Sequence, residues 1–140
     1  MEELYLHCLL DTPGLRVFYD KNRGWLYNQW LGIHNIWSVQ KGAGEICACL
    51  HAHSYTRILS DYSGLVGSWQ ADAPWITRAY FDRLAAQGIM YFAFVCHDEY
   101  HDRALLTQLL HDVKYPVVDI FDDVASAYDW LRRCPDLVKE

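Results

Sequence analysis

Two short runs of alternating side chains set the pattern of the first quarter of the chain. From Leu15 to Asp20, Leu15, Val17 and Tyr19 alternate with Arg16, Phe18 and Asp20, and Trp25 to Leu31 alternates in the same way. A period of two sends one set of side chains to a buried face and the other away from it, which predicts two strands. Lys21-Asn22-Arg23-Gly24 lies between them and supplies the backbone angles of a tight turn. The pair is therefore an antiparallel hairpin, and Gly32 ends it.

The period then changes. Asn35 is placed to cap a helix whose Ile36, Val39, Ala43, Ile46, Cys47 and Leu50 recur at three and four residues, drawing one apolar stripe. Gly42 and Gly44 interrupt it, each costing about 1 kcal/mol against Ala, which signals either close packing or a weak point. Arg57 to Tyr62 reads as a short strand that breaks at Asp61 into a Ser- and Gly-rich loop reaching Trp69. Asp72 and Pro74 open a second helix with Ile76, Ala79, Tyr80 and Leu84 on its apolar side, and Gly88 stops it.

Ile89 to Cys96 is apolar without alternation, as in a strand buried on both faces of a parallel sheet. A further helix starts at Asp98 or Glu99 and carries Leu105, Leu106, Leu109, Leu110 and Val113. Pro116 to Phe121 supplies another strand, and Asp122 or Asp123 caps a last helix with Val124, Ala127, Tyr128 and Leu131. The order ββαβαβαβα predicts an α/β fold: a five-stranded, mostly parallel sheet with an antiparallel first strand and helices mainly on one face.

The 140 residues suit a single domain, 1–140, able to bury a core without metal or disulfide. Twelve Lys and Arg against eighteen Asp and Glu leave a net charge of −6. With no basic run to override it, that sign argues against a nucleic-acid partner. Five cysteines, an odd number without a CxxC, read as reduced thiols of a cytoplasmic protein. Leu4 to Leu10 is too short, and too acidic at its start, for a secretory leader, and no stretch is long enough to span a membrane.

The order of elements resembles the STAS domain, the SpoIIAA-like fold of sulfate transporters and anti-sigma-factor antagonists. Asp61-Tyr62-Ser63-Gly64-Leu65 is similar to the family's motif, in which a strand ends in Asp, a variable residue, a phosphorylatable Ser, Gly and an apolar residue. The resemblance implies a non-enzymatic regulatory module that contacts a protein partner through Asp61, Tyr62, Ser63, Gly64, Ser68 and Trp69, with Ser63 as the phosphosite. The chain departs from the family in placing Leu65 to Ala71 between that Gly and the next helix, which leaves Ser68 nearer the helix start. It is also similar to uncharacterised bacterial STAS/SEC14-like proteins, a kinship that implies a small apolar ligand.

The residues themselves allow an alternative of that kind. Parallel strands deliver their C-terminal ends to one rim, so Trp30, His34, Trp37, Trp69, Trp75, His97 and Asp98 are candidates for a pocket taking a small apolar or planar ligand. A small hydrolase built on Ser63, His34 or His97, and Asp61 or Asp98 ranks third, because no G-x-S-x-G elbow is present. Cys47 with His51 and Cys49 with His53 have a helical spacing that zinc ligands use. Cys47 lies on the core stripe and Cys49 points away from it, so no metal is expected. No nucleotide loop is present and no cofactor is expected. Helices gathered mostly on one side leave apolar sheet surface, which favours a homodimer.

Overall fold

The computed structural model describes residues 5–51, 53–66, 73–96, 107–108, 111 and 113–136, with residues 73–77 described by backbone alone. Six strands form one sheet in sequence order: β1 Leu6–Asp11, β2 Leu15–Asp20, β3 Trp25–Gly32, β4 Arg57–Leu65, β5 Tyr91–Val95 and β6 Val117–Phe121. β2 runs antiparallel to both β1 and β3, and β3 to β6 are parallel. The described helices are α1 Ile36–Cys49, α2 Ala73–Ala86 and α3 Val124–Arg133. The helix expected from Asp98 to Val113 lies outside the described residues, apart from short fragments.

The mostly parallel α/β sheet follows the expected order, with one strand more than the five expected. That strand is β1, on the N-terminal run judged only as a leader candidate. A bulge between Cys8 and Leu10 breaks its period of two, so Leu9 and Leu10 both pack on the same core and no alternation is left to read. The second difference is β4, which does not break at Asp61 but continues to Leu65. Asp61 to Gly64 are therefore strand residues and not a loop.

Strands that are neighbours in sequence and parallel in space need right-handed crossovers, which put the β3–β4 and β4–β5 connections on the same face. There α1 contributes Ile46 and Cys47, and α2 contributes Phe81 and Leu84, against Val17, Leu26, Ile58 and Phe92 of the sheet. Each fully buried side chain of this size contributes about 1.5–3 kcal/mol. The opposite face carries α3, whose Ala127 and Leu131 pack on Leu59, Tyr91, Ala93 and Val95. Two described helices thus lie on one face and one on the other. On this second face α3 also reaches β3, where the Trp25 ring meets Tyr128 at 4.8 Å.

The two helix glycines differ. A Cβ on Gly42 would stand 2.6 Å from the Trp30 ring, so this glycine lets α1 settle on the indole, whereas Gly44 faces open space. Both sheet edges are blunted against strand addition: β1 by its bulge, and β6 by Asp119, whose carboxylate accepts the Ile120 amide at 2.8 Å. No helix among the described residues is long and apolar enough to cross a membrane.

Candidate functional site

The site is built where β3 and β4 end together. Gln29 pairs with Asp61, yet Leu31 pairs with Gly64, so β4 spends three residues where β3 spends two. The extra residue bulges the strand and re-aims its side chains, a device common beside functional sites. Gly64 is required at the close approach that follows, because a Cβ there would stand 2.7 Å from Leu31 Cδ2 and 3.0 Å from the Trp30 carbonyl oxygen.

Within the bulge Ser63 is exposed while Asp61 is buried. The Asp61 carboxylate accepts the Ser63 amide at 2.9 Å and the Ser63 hydroxyl at 2.6 Å. A charged acceptor thus fixes the orientation of a solvent-facing nucleophilic oxygen. Beyond Gly64 the Val66 amide donates to the Gly32 carbonyl at 2.9 Å, carrying the two strand ends outward as a pair. This rim bears the most exposed large apolar side chains among the described residues: Ile33 at 81 %, Trp37 at 75 % and Val66 at 60 %.

Tyr62 points the other way, into the core. Its ring stacks between Trp30 at 5.8 Å and Phe94 at 4.1 Å, both nearly parallel to it. Burial pushes the Tyr62 phenol well above its ordinary range, opposed in part by a hydrogen bond with Ser60. Ser60 in turn donates to the Asn28 side-chain oxygen in the middle of the sheet. Asn28 Nδ2, Trp30 Nε1 and the Tyr80 hydroxyl are buried without a hydrogen-bond partner among the described residues.

Of the seven candidate pocket residues, the side chains of Trp30, His34 and Trp37 are described. Trp30 is a core residue, 3 % exposed, while Trp37 stands out from the surface. His34 is committed to structure. Its Nε2 lies 2.9 Å from the Gly14 carbonyl and 3.0 Å from the Leu31 carbonyl, and since carbonyls only accept, Nε2 carries the proton. Its Nδ1 faces Ser38 Oγ at 2.9 Å, beside the capping box that Asn35 and Ser38 form at the start of α1. Ser68, Trp69, His97 and Asp98, and the Trp75 side chain, lie outside the described residues. Of the residues expected to contact a partner, Asp61, Ser63 and Gly64 share the rim and Tyr62 lies beneath it.

Cys47 is buried in the core, and burial raises its pKa, whereas His53 stacks on Tyr19 at 4.5 Å near the opposite end of the sheet. Among the described residues no three His, Cys, Asp or Glu side chains are gathered as metal ligands would be. Sequence reasoning missed Ile33 and Val66. Each is a single apolar residue just past a strand end, a pattern that core residues share.

No protein-family model and no curated protein matches the chain. Solved structures do. An uncharacterised DUF3478-family protein with a SpoIIAA-like fold from Shewanella loihica PV-4 superposes with a TM-score of 0.58 at 16 % identity, over 87 % of this chain and 97 % of its own. The anti-sigma-factor antagonist SpoIIAA in its unphosphorylated form gives 0.54 at 11 % identity, over 94 % of this chain and 99 % of its own. The Bacillus cell-fate determinant SpoIIAA in its phosphorylated form gives 0.50 at 12 % identity, over 91 % and 99 %. With six strands in sequence order, the hairpin start and the parallel remainder, the chain has a SpoIIAA-like fold.

Proposed function

We propose that this chain is a non-enzymatic STAS-like regulatory module. It docks a protein partner on the rim formed by Ser63, Gly64, Ile33, Trp37 and Val66, and phosphorylation of Ser63 switches that contact. The observation that carries the reading is the Asp61–Ser63 pair. A buried carboxylate presents an exposed hydroxyl at a strand bulge, beside the most exposed apolar side chains among the described residues. Exposed apolar clusters of this kind mark protein contact sites.

SpoIIAA, which shares the fold, occurs in unphosphorylated and phosphorylated forms. Here a phosphate on Ser63 would bring a charge of about −1.5 to −2 against the Asp61 carboxylate. The hydroxyl could no longer donate, and repulsion would turn the bulge outward into the docking surface.

The test compares wild type, Ser63→Ala, Ser63→Asp and Trp37→Ala as immobilised baits for proteins from the source cells, alongside thermal melts. Proteins retained by wild type and Ser63→Ala but lost from Ser63→Asp and Trp37→Ala, at unchanged melting temperature, are the expected result. Equal retention by all four baits would remove the proposal.

A further inference from the structure

A groove of about 470 Å³, within the usual range for small-molecule sites, opens over β1, β2 and β3 beside the start of α3. It lies on the α3 side and is separate from the rim. The strand register explains its lining. Cys8 pairs with Phe18 and Phe18 with Tyr27, which makes one row across β1, β2 and β3; Asp11, Arg16 and Gln29 make the next row. The first row gives an aromatic floor, with the Phe18 and Tyr27 rings 6.1 Å apart and edge to face. Leu6 and Val124 close its sides. The second row gives a polar end, where Gln29 Nε2 reaches the Tyr27 hydroxyl at 3.5 Å and the Arg16 guanidinium stands half exposed.

Among the described residues Arg16 is the only cation lining this groove, in a chain of net charge −6. Its Nε donates to Asp11 at 3.2 Å, and a guanidinium with five N–H donors keeps capacity for a second carboxylate at the groove it lines. We infer that the groove binds a flat aromatic carboxylate, its ring lying on Phe18 and Tyr27 and its carboxylate meeting Arg16 beside Gln29. An aromatic floor rewards a flat apolar body, and the single cation selects an anionic head over a neutral one.

Cys8 supplies a reporter. It lines the groove and is exposed, while the other four cysteines are buried or partly buried. The full chain is alkylated with iodoacetamide at neutral pH, and the Cys8 adduct is followed by mass spectrometry with 2-naphthoate or its uncharged amide, 2-naphthamide, as probe. The expected result is saturable protection by naphthoate, with the amide needing about tenfold higher concentration for the same protection, the loss of one charge-assisted contact. Arg16→Gln should bring the acid down to the level of the amide, Asp11→Asn should strengthen the acid alone, and Phe18→Leu should weaken both. Equal protection by acid and amide in wild type, an acid preference that survives Arg16→Gln, or no protection up to the solubility limit of naphthoate would each overturn the assignment.

Discussion

Asp61 and Ser63 are bonded twice, the carboxylate taking both the amide and the hydroxyl of the residue two positions on. The pair closes the bulge of β4 on itself, satisfying the Ser63 amide and hydroxyl from within the same strand. A buried charged acceptor with two donors contributes about 1.5–3 kcal/mol. Asp61→Ala should therefore lower unfolding free energy by about that amount in urea titrations. Ser63→Ala, which leaves the amide bond in place, should cost less than about 1 kcal/mol. If the two variants lose the same stability, the carboxylate does not organise the bulge.

Gly42 and Gly44 offer a contrast within a single helix. A methyl at 42 meets the Trp30 ring and must displace a core indole or the helix, so Gly42→Ala should destabilise by about 1–3 kcal/mol. At 44 nothing stands within 4 Å, and removing the backbone freedom of glycine should stabilise by up to about 1 kcal/mol. Paired thermal melts of the two variants, expected to move in opposite directions, check both.

Elements held by one clear period were legible from the residues. α1 begins where Asn35 caps it, α3 follows its Val124, Ala127 and Leu131 spacing, and β5 is the apolar run buried on both faces. What failed to show was structure whose period is broken by a bulge. Leu9 and Leu10 of β1 face the same core, and Ser63 and Gly64 have the composition of a turn although the ladder to β3 runs past them. The site divided for the same reason. Asp61, Ser63 and Gly64 could be named from their motif, but whether a tryptophan seals the core or faces solvent depends on register. Trp30 and Trp37 took opposite fates seven residues apart.

Arg57 at the start of β4 fastens the end of α3 from across the sheet. Its Nε donates to the Leu131 carbonyl at 2.9 Å, one Nη to the Cys134 carbonyl at 2.5 Å and the other to Asp136 at 2.9 Å, with the guanidinium over the Tyr91 ring. The carbonyls are end groups of a helix and need donors. Arg57→Met should cost about 2–4 kcal/mol, because it removes the guanidinium donor to both carbonyls near a buried site and leaves Leu131 with only the Cys134 amide at 3.3 Å. Asp136 is 91 % exposed, so Asp136→Asn should change stability by less than about 1 kcal/mol despite the ion pair. Chemical denaturation of the two variants separates capping from charge pairing: similar losses would mean that the ion pair, not the carbonyl bonds, is what Arg57 provides.

Alkaline stability should report the buried phenols. Burial pushes Tyr55 from its usual 10 up to about 12, and it raises Tyr62 and Tyr80 as well. A phenol is neutral below its pKa, so between pH 10 and 12 the unfolded chain has released the Tyr55 proton while the folded chain still holds it. The unfolded state then binds fewer protons, and unfolding free energy falls as pH rises through that window. Below pH 10 both states hold the proton and the contribution is constant. Tyr55→Phe removes a hydroxyl that has no hydrogen-bond partner among the described residues, so it should leave neutral-pH stability unchanged or slightly higher. It should also make the decline from pH 10 to 12 shallower. Urea midpoints measured from pH 8 to 12 for wild type and variant test the sign, and parallel curves would show that Tyr55 does not carry its share of the alkaline transition.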